Sequence, residues 1–189
     1  MTDPIIEIVA YRTAWRAEYA ALAELVRGAL GSAVVALHHI GSTSVPELAA
    51  KDVIDLQLTV ESLQAYPHER LEAAGFEVNR ASKDHCPPGL TLADKELAKH
   101  FCKYRGRTAN LHVREAGRFN QQYAILCRDY LRTHELAAAA YAEIKMQLAR
   151  YFPSDVDAYY SIKDPTFDVL MAGAREWAIA TNWKEPPSD

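Results

Sequence analysis

Cysteine is scarce in this sequence, with only Cys86, Cys102 and Cys127. The number is odd and the spacing is not that of a metal-binding motif, which argues against a disulfide framework. Reduced thiols in a reducing compartment fit better. No apolar run approaches the ~20 residues of a membrane span. The N-terminus also lacks the basic-then-apolar pattern of a secretory leader. The expectation is a cytoplasmic protein that does not enter membranes. Positive charge is not in excess, with 21 Lys and Arg against 25 Asp and Glu and a net charge of -4. There is thus no global nucleic-acid footprint, and no basic stripe or aromatic platform for single strands. Nucleic acid is not expected as a partner. Internal repeats and low-complexity linkers are absent too. At 189 residues the chain suffices for one well-packed domain, or for a domain with an appended helical part.

The most informative stretch runs from Leu37 to Val60. Val34 to Ile40 is apolar and rich in β-formers, as suits a buried strand. Gly41-Ser42-Thr43 breaks it with a residue that lets a backbone approach a ligand, followed by two hydroxyls. Pro46 and Ala49-Ala50 carry the chain to a second strand, Val53 to Val60. Its alternation places Ile54, Leu56, Leu58 and Val60 on one face, and Val53, Asp55, Gln57 and Thr59 on the other. A turn with free donors beside a fixed carboxylate suits a phosphate or a metal-bound phosphate.

Elsewhere the pattern predicts a short strand at Ile5 to Val9. A helix capped by Thr13 follows, with Trp15, Tyr19, Leu22 and Val26 as its stripe and an end near Gly28 to Gly31. A second helix runs from Ser62 to Gly75, with Pro67 as an irregularity. Phe76 to Asn79 is a short strand, and Ala81 to Asp94 an exposed loop able to act as a flap. Lys99 to Arg105 and Ala109 to Arg114 form a hairpin across Gly106-Arg107. After Gly117 the chain reads as helical. Phe119, Tyr123, Leu126 and Tyr130 make one stripe; Leu136, Ala140, Ile144 and Leu148 make the next. Pro153 ends that helix, a short one carries Tyr159 and Lys163, and Asp164-Pro165 starts the last. The expected fold is α/β (α+β). A mixed sheet of five or six strands with flanking helices spans residues 1–117, a C-terminal helical part spans 118–182, and 183–189 is a flexible tail.

The run HHIGSTSVPELAAKDVIDL resembles the signature of the GrpB family, a branch of the DNA polymerase β-type nucleotidyltransferase superfamily. That superfamily pairs a Gly-Ser turn with two acidic residues, separated by a hydrophobic one, on the next strand. Gly41 and Ser42 match the turn and Asp55 the first acid; Gln57 stands in place of the second. Asn110-Leu111-His112-Val113 resembles the family's later strand. Arg128 to Arg132 with His134-Glu135, Tyr141 with Lys145, and Tyr159 with Lys163 resemble its C-terminal pattern. Glu47 stands where the family usually has glycine. The resemblance implies a nucleotidyltransferase-type mixed sheet followed by helices. It also implies a protein that binds a nucleotide or other phosphorylated small molecule. The family is also found fused to dephospho-coenzyme A kinase as an accessory part.

The candidate catalytic residues are Asp55 and His112. Candidate phosphate or substrate contacts are Gly41, Ser42, Thr43, Lys51, His39, Arg105, Arg128, Lys145 and Lys163. Asp55 and Gln57 are the candidate ligands of Mg²⁺ or Mn²⁺, and an acid plus an amide coordinates more weakly than two acids. His112 suits proton transfer, a phosphate hydrogen bond or a transition metal better than Mg²⁺. Lys99, Lys103, Arg105, Arg107 and Arg114 surround the hairpin and serve equally as a charged sheet edge. Three readings stand. The first is a metal-dependent nucleotidyltransferase acting on a small acceptor. The second is a non-catalytic nucleotide- or coenzyme-binding accessory module tied to coenzyme A biosynthesis or folding. The third is another transferase or ligase using His112 and the lysines.

Overall fold

The computed structural model describes residues 5–189. Five strands form one mixed sheet: β1 (Ala36–Ile40), β2 (Ile54–Val60), β3 (Phe76–Lys83), β4 (Ala98–Tyr104) and β5 (Ala109–Glu115). Their spatial order is β1-β2-β5-β4-β3. β2 and β5 pair in parallel at the centre, and the other neighbours are antiparallel. Five helices accompany them: α1 (Ala14–Leu30), α2 (His68–Ala73), α3 (Phe119–Thr133), α4 (Glu135–Tyr151) and α5 (Val156–Thr181).

The two faces of the sheet follow from the alternation along β2. Ile54, Leu56, Leu58 and Val60 are buried with Leu111 and Val113 of β5 against Trp15, Tyr19, Leu22 and Val26 of α1. Each such side chain contributes about 1.5–3 kcal/mol when fully buried. Trp15 also donates its indole N–H to Asp52 at 2.7 Å. Asp52 accepts from Arg12 at 2.6 Å and from Arg107 at 2.5 Å as well. It ties the entry to α1, the crossing into β2 and the hairpin turn together. The opposite face carries Asp55, Gln57 and Thr59 of β2 level with Asn110, His112 and Arg114 of β5. This polar face is roofed by α3, against which α5 packs through Tyr123, Leu126, Cys127, Met171 and Ala174.

Several elements differ from the sequence reading. Ile5 to Val9 makes a single bridge, Val9 to Ala50, instead of a strand of the sheet. α2 starts at His68, because Pro67 lacks the N–H that a helix running through it would need; Ser62 caps a turn upstream, accepting from Gln64 N at 3.2 Å. β3 extends to Lys83 through a register shift between Asn79 and Ser82, so the exposed loop begins at Asp84. The short helix and the last helix are one 26-residue helix with Pro165 inside. Burial of Phe167 and Met171 against α3 outweighs the local penalty of proline, and Thr166 Oγ1 donates to Ile162 O at 2.9 Å on that stretch. Residues 183–189, expected as a flexible tail, run along the outer edge of β1. Asp189 N donates to Leu37 O at 3.1 Å, and Leu37 N donates to Ser188 Oγ at 2.8 Å. Edge backbone groups need partners, and this segment supplies them.

Candidate functional site

β1 ends at Gly41, whose φ of +69° and ψ of -174° fall in a region that in practice only glycine occupies. A side chain here would also collide with Asp55, since a Cβ would lie 2.6 Å from Asp55 Oδ2. Glycine thus lets the turn lie directly on the carboxylate. Ser42–Ser44 then form one 3-10 turn. Ser44 Oγ donates to Gly41 O at 2.6 Å and locks it. Thr43 faces inward, bonded to His39 at 3.0 Å and donating to Val53 O at 3.3 Å. Of the three hydroxyls, that of Ser42 is bonded to a helix side chain: Lys145 of α4 donates to its Oγ at 2.9 Å.

Asp55 Oδ1 accepts from Asn110 Nδ2 at 2.9 Å, and His112 Nε2 stands 3.7 Å away, an ion-pair distance. Burial alone would raise the Asp55 pKa; the neighbouring His112, the Asn110 bond and the charge of Lys163 outweigh it and hold the carboxyl below its ordinary range. Asp55 is therefore ionised at neutral pH. Burial first, then the charges of Arg114 and Lys99, push His112 down. Lys99 donates toward His112 Nδ1 at 3.4 Å, which leaves the imidazole proton on Nε2, facing Asp55. Phe101 packs edge-on against the ring, with centroids 5.1 Å apart.

Behind His112 lies a closed ionic network. Asp84 accepts from Lys99 at 2.5 Å, from Arg114 at 2.9 and 3.0 Å, and from Asn120 at 3.0 Å. Burial would raise the Asp84 carboxyl, but Arg114 and Lys99 hold it far below the usual carboxylate range. Arg114 in turn donates to Gln57 Oε1 at 2.5 Å, and Gln57 Nε2 donates to Gln121 O at 2.8 Å. Gln57 is fully buried. Both ends of its amide are spent, and a guanidinium sits where a cation would have to bind. Asp55 keeps one carboxylate oxygen clear of Asn110 and has no second acid beside it among the described residues. The donor set does not fit a Mg²⁺ or Mn²⁺ cage, and the described residues contain no cluster of three His, Cys, Asp or Glu placed to hold a metal.

The helical layer supplies the positive charge. Lys145 is 2% exposed and donates to Ala49 O at 2.6 Å as well as to Ser42. Both partners are neutral. Burial, reinforced by the like charge of Lys163, brings its pKa down to about 7. Lys163 on α5 differs. Burial would lower its pKa, but Tyr141 and the carboxylate of Asp164, 3.3 Å away, more than offset this and raise it above the usual lysine value. Lys145 lies over the Tyr141 ring, 4.7 Å from its centroid. Tyr159 is fully buried, and its hydroxyl has no partner among the described residues. Lys51 donates to Tyr160 OH at 2.5 Å at the rim. Next to this rim a groove of about 370 Å³ runs between α5 and the loop after β3, lined by His85, Cys86, Tyr160, Asp164 and Asp168 among others.

The structure thus brings Gly41, Ser42, Asp55, His112, Lys145 and Lys163 together, with Lys51 at the edge. It separates the others. His39 points to the apolar face, stacked on Tyr19 with centroids 4.7 Å apart, and burial drops its pKa to about 4. It shares parity with Leu37, a signal the sequence carried. Arg105 pairs with Glu77 at 2.8 Å on the exposed hairpin end. Arg128 is 99% enclosed as a side chain, bonded to Asp129 at 2.8 Å, His39 O at 3.1 Å and Asp189 at 2.9 Å. Thr43 and Gln57 are held by the fold as described. Asn110 and Asp84 were not singled out from the sequence. Asn110 shares a face with His112 and was findable; Asp84 sits in a loop whose path the sequence does not reveal.

Comparisons with known proteins place these features. The family model described as GrpB protein matches residues 5–172. A protein named dephospho-CoA kinase from Mycolicibacterium paratuberculosis is 33% identical over 90% of this chain and 46% of its own length. UPF0157 protein YqkA from Bacillus subtilis is 31% identical over 94% of this chain and 49% of its own. The chain therefore spans about half the length of these relatives. The crystal structure of GrpB from Enterococcus faecalis superposes with a TM-score of 0.76 and 26% identity, covering 90% of this chain and 99% of that one. With its family match, its fold and its Gly41–Asp55 turn-and-strand signature in agreement, the chain belongs to the GrpB family.

Proposed function

We propose that the cleft binds a nucleotide, or another phosphorylated small molecule, through its phosphates and transfers a nucleotidyl group to a small acceptor. The observation that carries this reading is Lys145, a buried amine whose partners among the described residues are all neutral, set on the Gly41-Ser42 turn beside Lys163. A buried ammonium without a counter-charge is costly, and an anion between the two lysines completes it. Ser42 and the unpartnered Tyr159 hydroxyl offer further donors. Asp55, ionised and oriented by Asn110 and His112, is the base for an acceptor hydroxyl. His112 turns its Nε2 toward Asp55 Oδ1 at 3.7 Å and helps to keep the carboxylate ionised. The adjoining groove has room for the acceptor. Lysines, not a metal cage, meet the phosphate charge in this scheme.

A second reading is a nucleotide- or coenzyme-binding module that does no chemistry. The Gln57–Arg114 bond favours it, since it closes the position of a second acid. Relatives that carry the name dephospho-CoA kinase extend well beyond the matched part, and this reading makes the chain an accessory portion with a coenzyme-type phosphorylated ligand. Calorimetric titration of ATP and of dephospho-coenzyme A, followed by acceptor screening with radiolabelled ATP, separates the two. Binding with transfer that is lost in Asp55→Asn supports the first reading. Binding without transfer to any acceptor supports the second. No binding of either ligand refutes both.

A further inference from the structure

We propose that Ser42 and Lys145 form a nucleophile–base pair, in which Ser42 Oγ attacks an activated phosphoryl centre bound in the cleft and Lys145 Nζ takes its proton. The inference shares the cleft with the proposed function but does not require the bound molecule to be a nucleotide.

Three observations carry it. First, the turn singles out Ser42. Thr43 Oγ1 is committed to His39 and Val53 O, and Ser44 Oγ to Gly41 O. Among the described residues Ser42 Oγ has one partner, Lys145 Nζ at 2.9 Å, a distance for direct proton transfer. Second, the backbone presents this serine rigidly. It follows a strand end and a glycine with φ +69°, and it opens a single 3-10 turn. A nucleophile on a sharp turn between fixed elements keeps its hydroxyl in place. Third, Lys145 has no carboxylate partner among the described residues. It is 2% exposed and holds only Ser42 Oγ and Ala49 O. With burial and Lys163 lowering its pKa to about 7, the amine form that a base requires is well populated at neutral pH.

The step balances within the pair and the substrate. A bond forms from Ser42 Oγ to phosphorus, and the bond from phosphorus to the leaving group breaks. The leaving group departs with the electron pair, and the Oγ proton ends on Lys145. The resulting ammonium lies beside the new phosphoester and Lys163, where negative charge gathers. At neutral pH the free-amine fraction of Lys145 accepts the proton, while Lys163, whose pKa is raised, stays charged and holds the arriving anion.

The test uses a fluorophosphonate ester as the electrophile, with fluoride as its leaving group, on the full chain. Adduct at Ser42 is quantified by peptide mass spectrometry between pH 5.5 and 9. From the Lys145 pKa of about 7, the labelling rate should rise about tenfold between pH 6 and pH 8 and then level off. Lys145→Met, checked for folding by circular dichroism, should lose at least about tenfold in rate. Absence of a Ser42 adduct across the whole range in the wild type overturns the inference, and that result needs no variant. Equal labelling in a folded Lys145→Met protein overturns it too. ATP calorimetry on the same preparation reads the nucleotide proposal separately, so either can fail alone.

Discussion

Lys145 makes the stability of this protein depend on pH in a way that one substitution should erase. In the unfolded chain a lysine keeps its ordinary pKa of about 10.4. In the fold, burial and the Lys163 charge bring it down to about 7. Below pH 7 the side chain is protonated in both states, and the fold bears the full cost of a buried ammonium. Between pH 7 and 10 the unfolded state binds the extra proton, so the contribution of this residue to stability rises with pH. From pH 6 to pH 9 the native state sheds nearly one proton over two pH units above its pKa. At about 1.4 kcal/mol per unit, this amounts to about 2–3 kcal/mol. Lys145→Met removes the titration and leaves Ala49 O without its donor, a loss on the order of 1–3 kcal/mol at every pH. The variant should therefore be close to wild type, or more stable, at pH 6 and clearly less stable at pH 9. Urea denaturation of both proteins at the two pH values measures the difference of differences. For a chain of this size it corresponds to roughly 5–10 °C in Tm. Parallel stability profiles for the two proteins would refute the claim that this lysine is buried without a counter-charge.

Other outcomes follow from the same geometry. Gly41→Ala places a Cβ 2.6 Å from Asp55 Oδ2 at a φ of +69°, and should cost about 2–4 kcal/mol and abolish ligand binding, read by thermal melting and calorimetry. Glu47 has a φ of +60°, so Glu47→Gly should relieve left-handed strain and stabilise by about 0.5–1 kcal/mol in denaturant titration; a loss of stability would show that Glu47 has compensating contacts. Gln57→Asp should not create a tight Mn²⁺ site, because Arg114 already holds that position; Mn²⁺ binding followed by electron paramagnetic resonance checks this, and micromolar affinity would contradict it. Asp189→Ala removes one of the two carboxylates on the buried Arg128 and should lower stability by about 1–3 kcal/mol, measured by urea denaturation against wild type.

The sequence disclosed the parts governed by local periodicity. The stripe of α1, the alternation of β2 and the glycine that must end β1 are all short-range patterns, and each appears in the structure as read. Strand parity also set Asp55 and His112 on the polar face, where the structure has them, with Asn110, not singled out, on that same face. What stayed hidden depends on contacts between distant segments. The fate of Gln57 is decided by Arg114 and by the α3 backbone, 57 and 64 residues away. Asp84 becomes a hub because β3 runs four residues further than its hydrophobic pattern shows. Arg128 looked free to meet a ligand, but its partners come from β1 and the final residues. Pro165 suggested a break, and packing along α5 overrode it.

The central claim is that Lys145 and the Gly41-Ser42 turn form a phosphate-binding cleft next to Asp55. Its most direct test is calorimetric titration of ATP, without added metal, into wild type and into Lys145→Met at pH 7. The account predicts measurable binding to the wild type and a loss of at least about tenfold in the variant, the scale of one buried charge-assisted contact. Binding of equal strength in the two proteins, or none to the wild type, would contradict it.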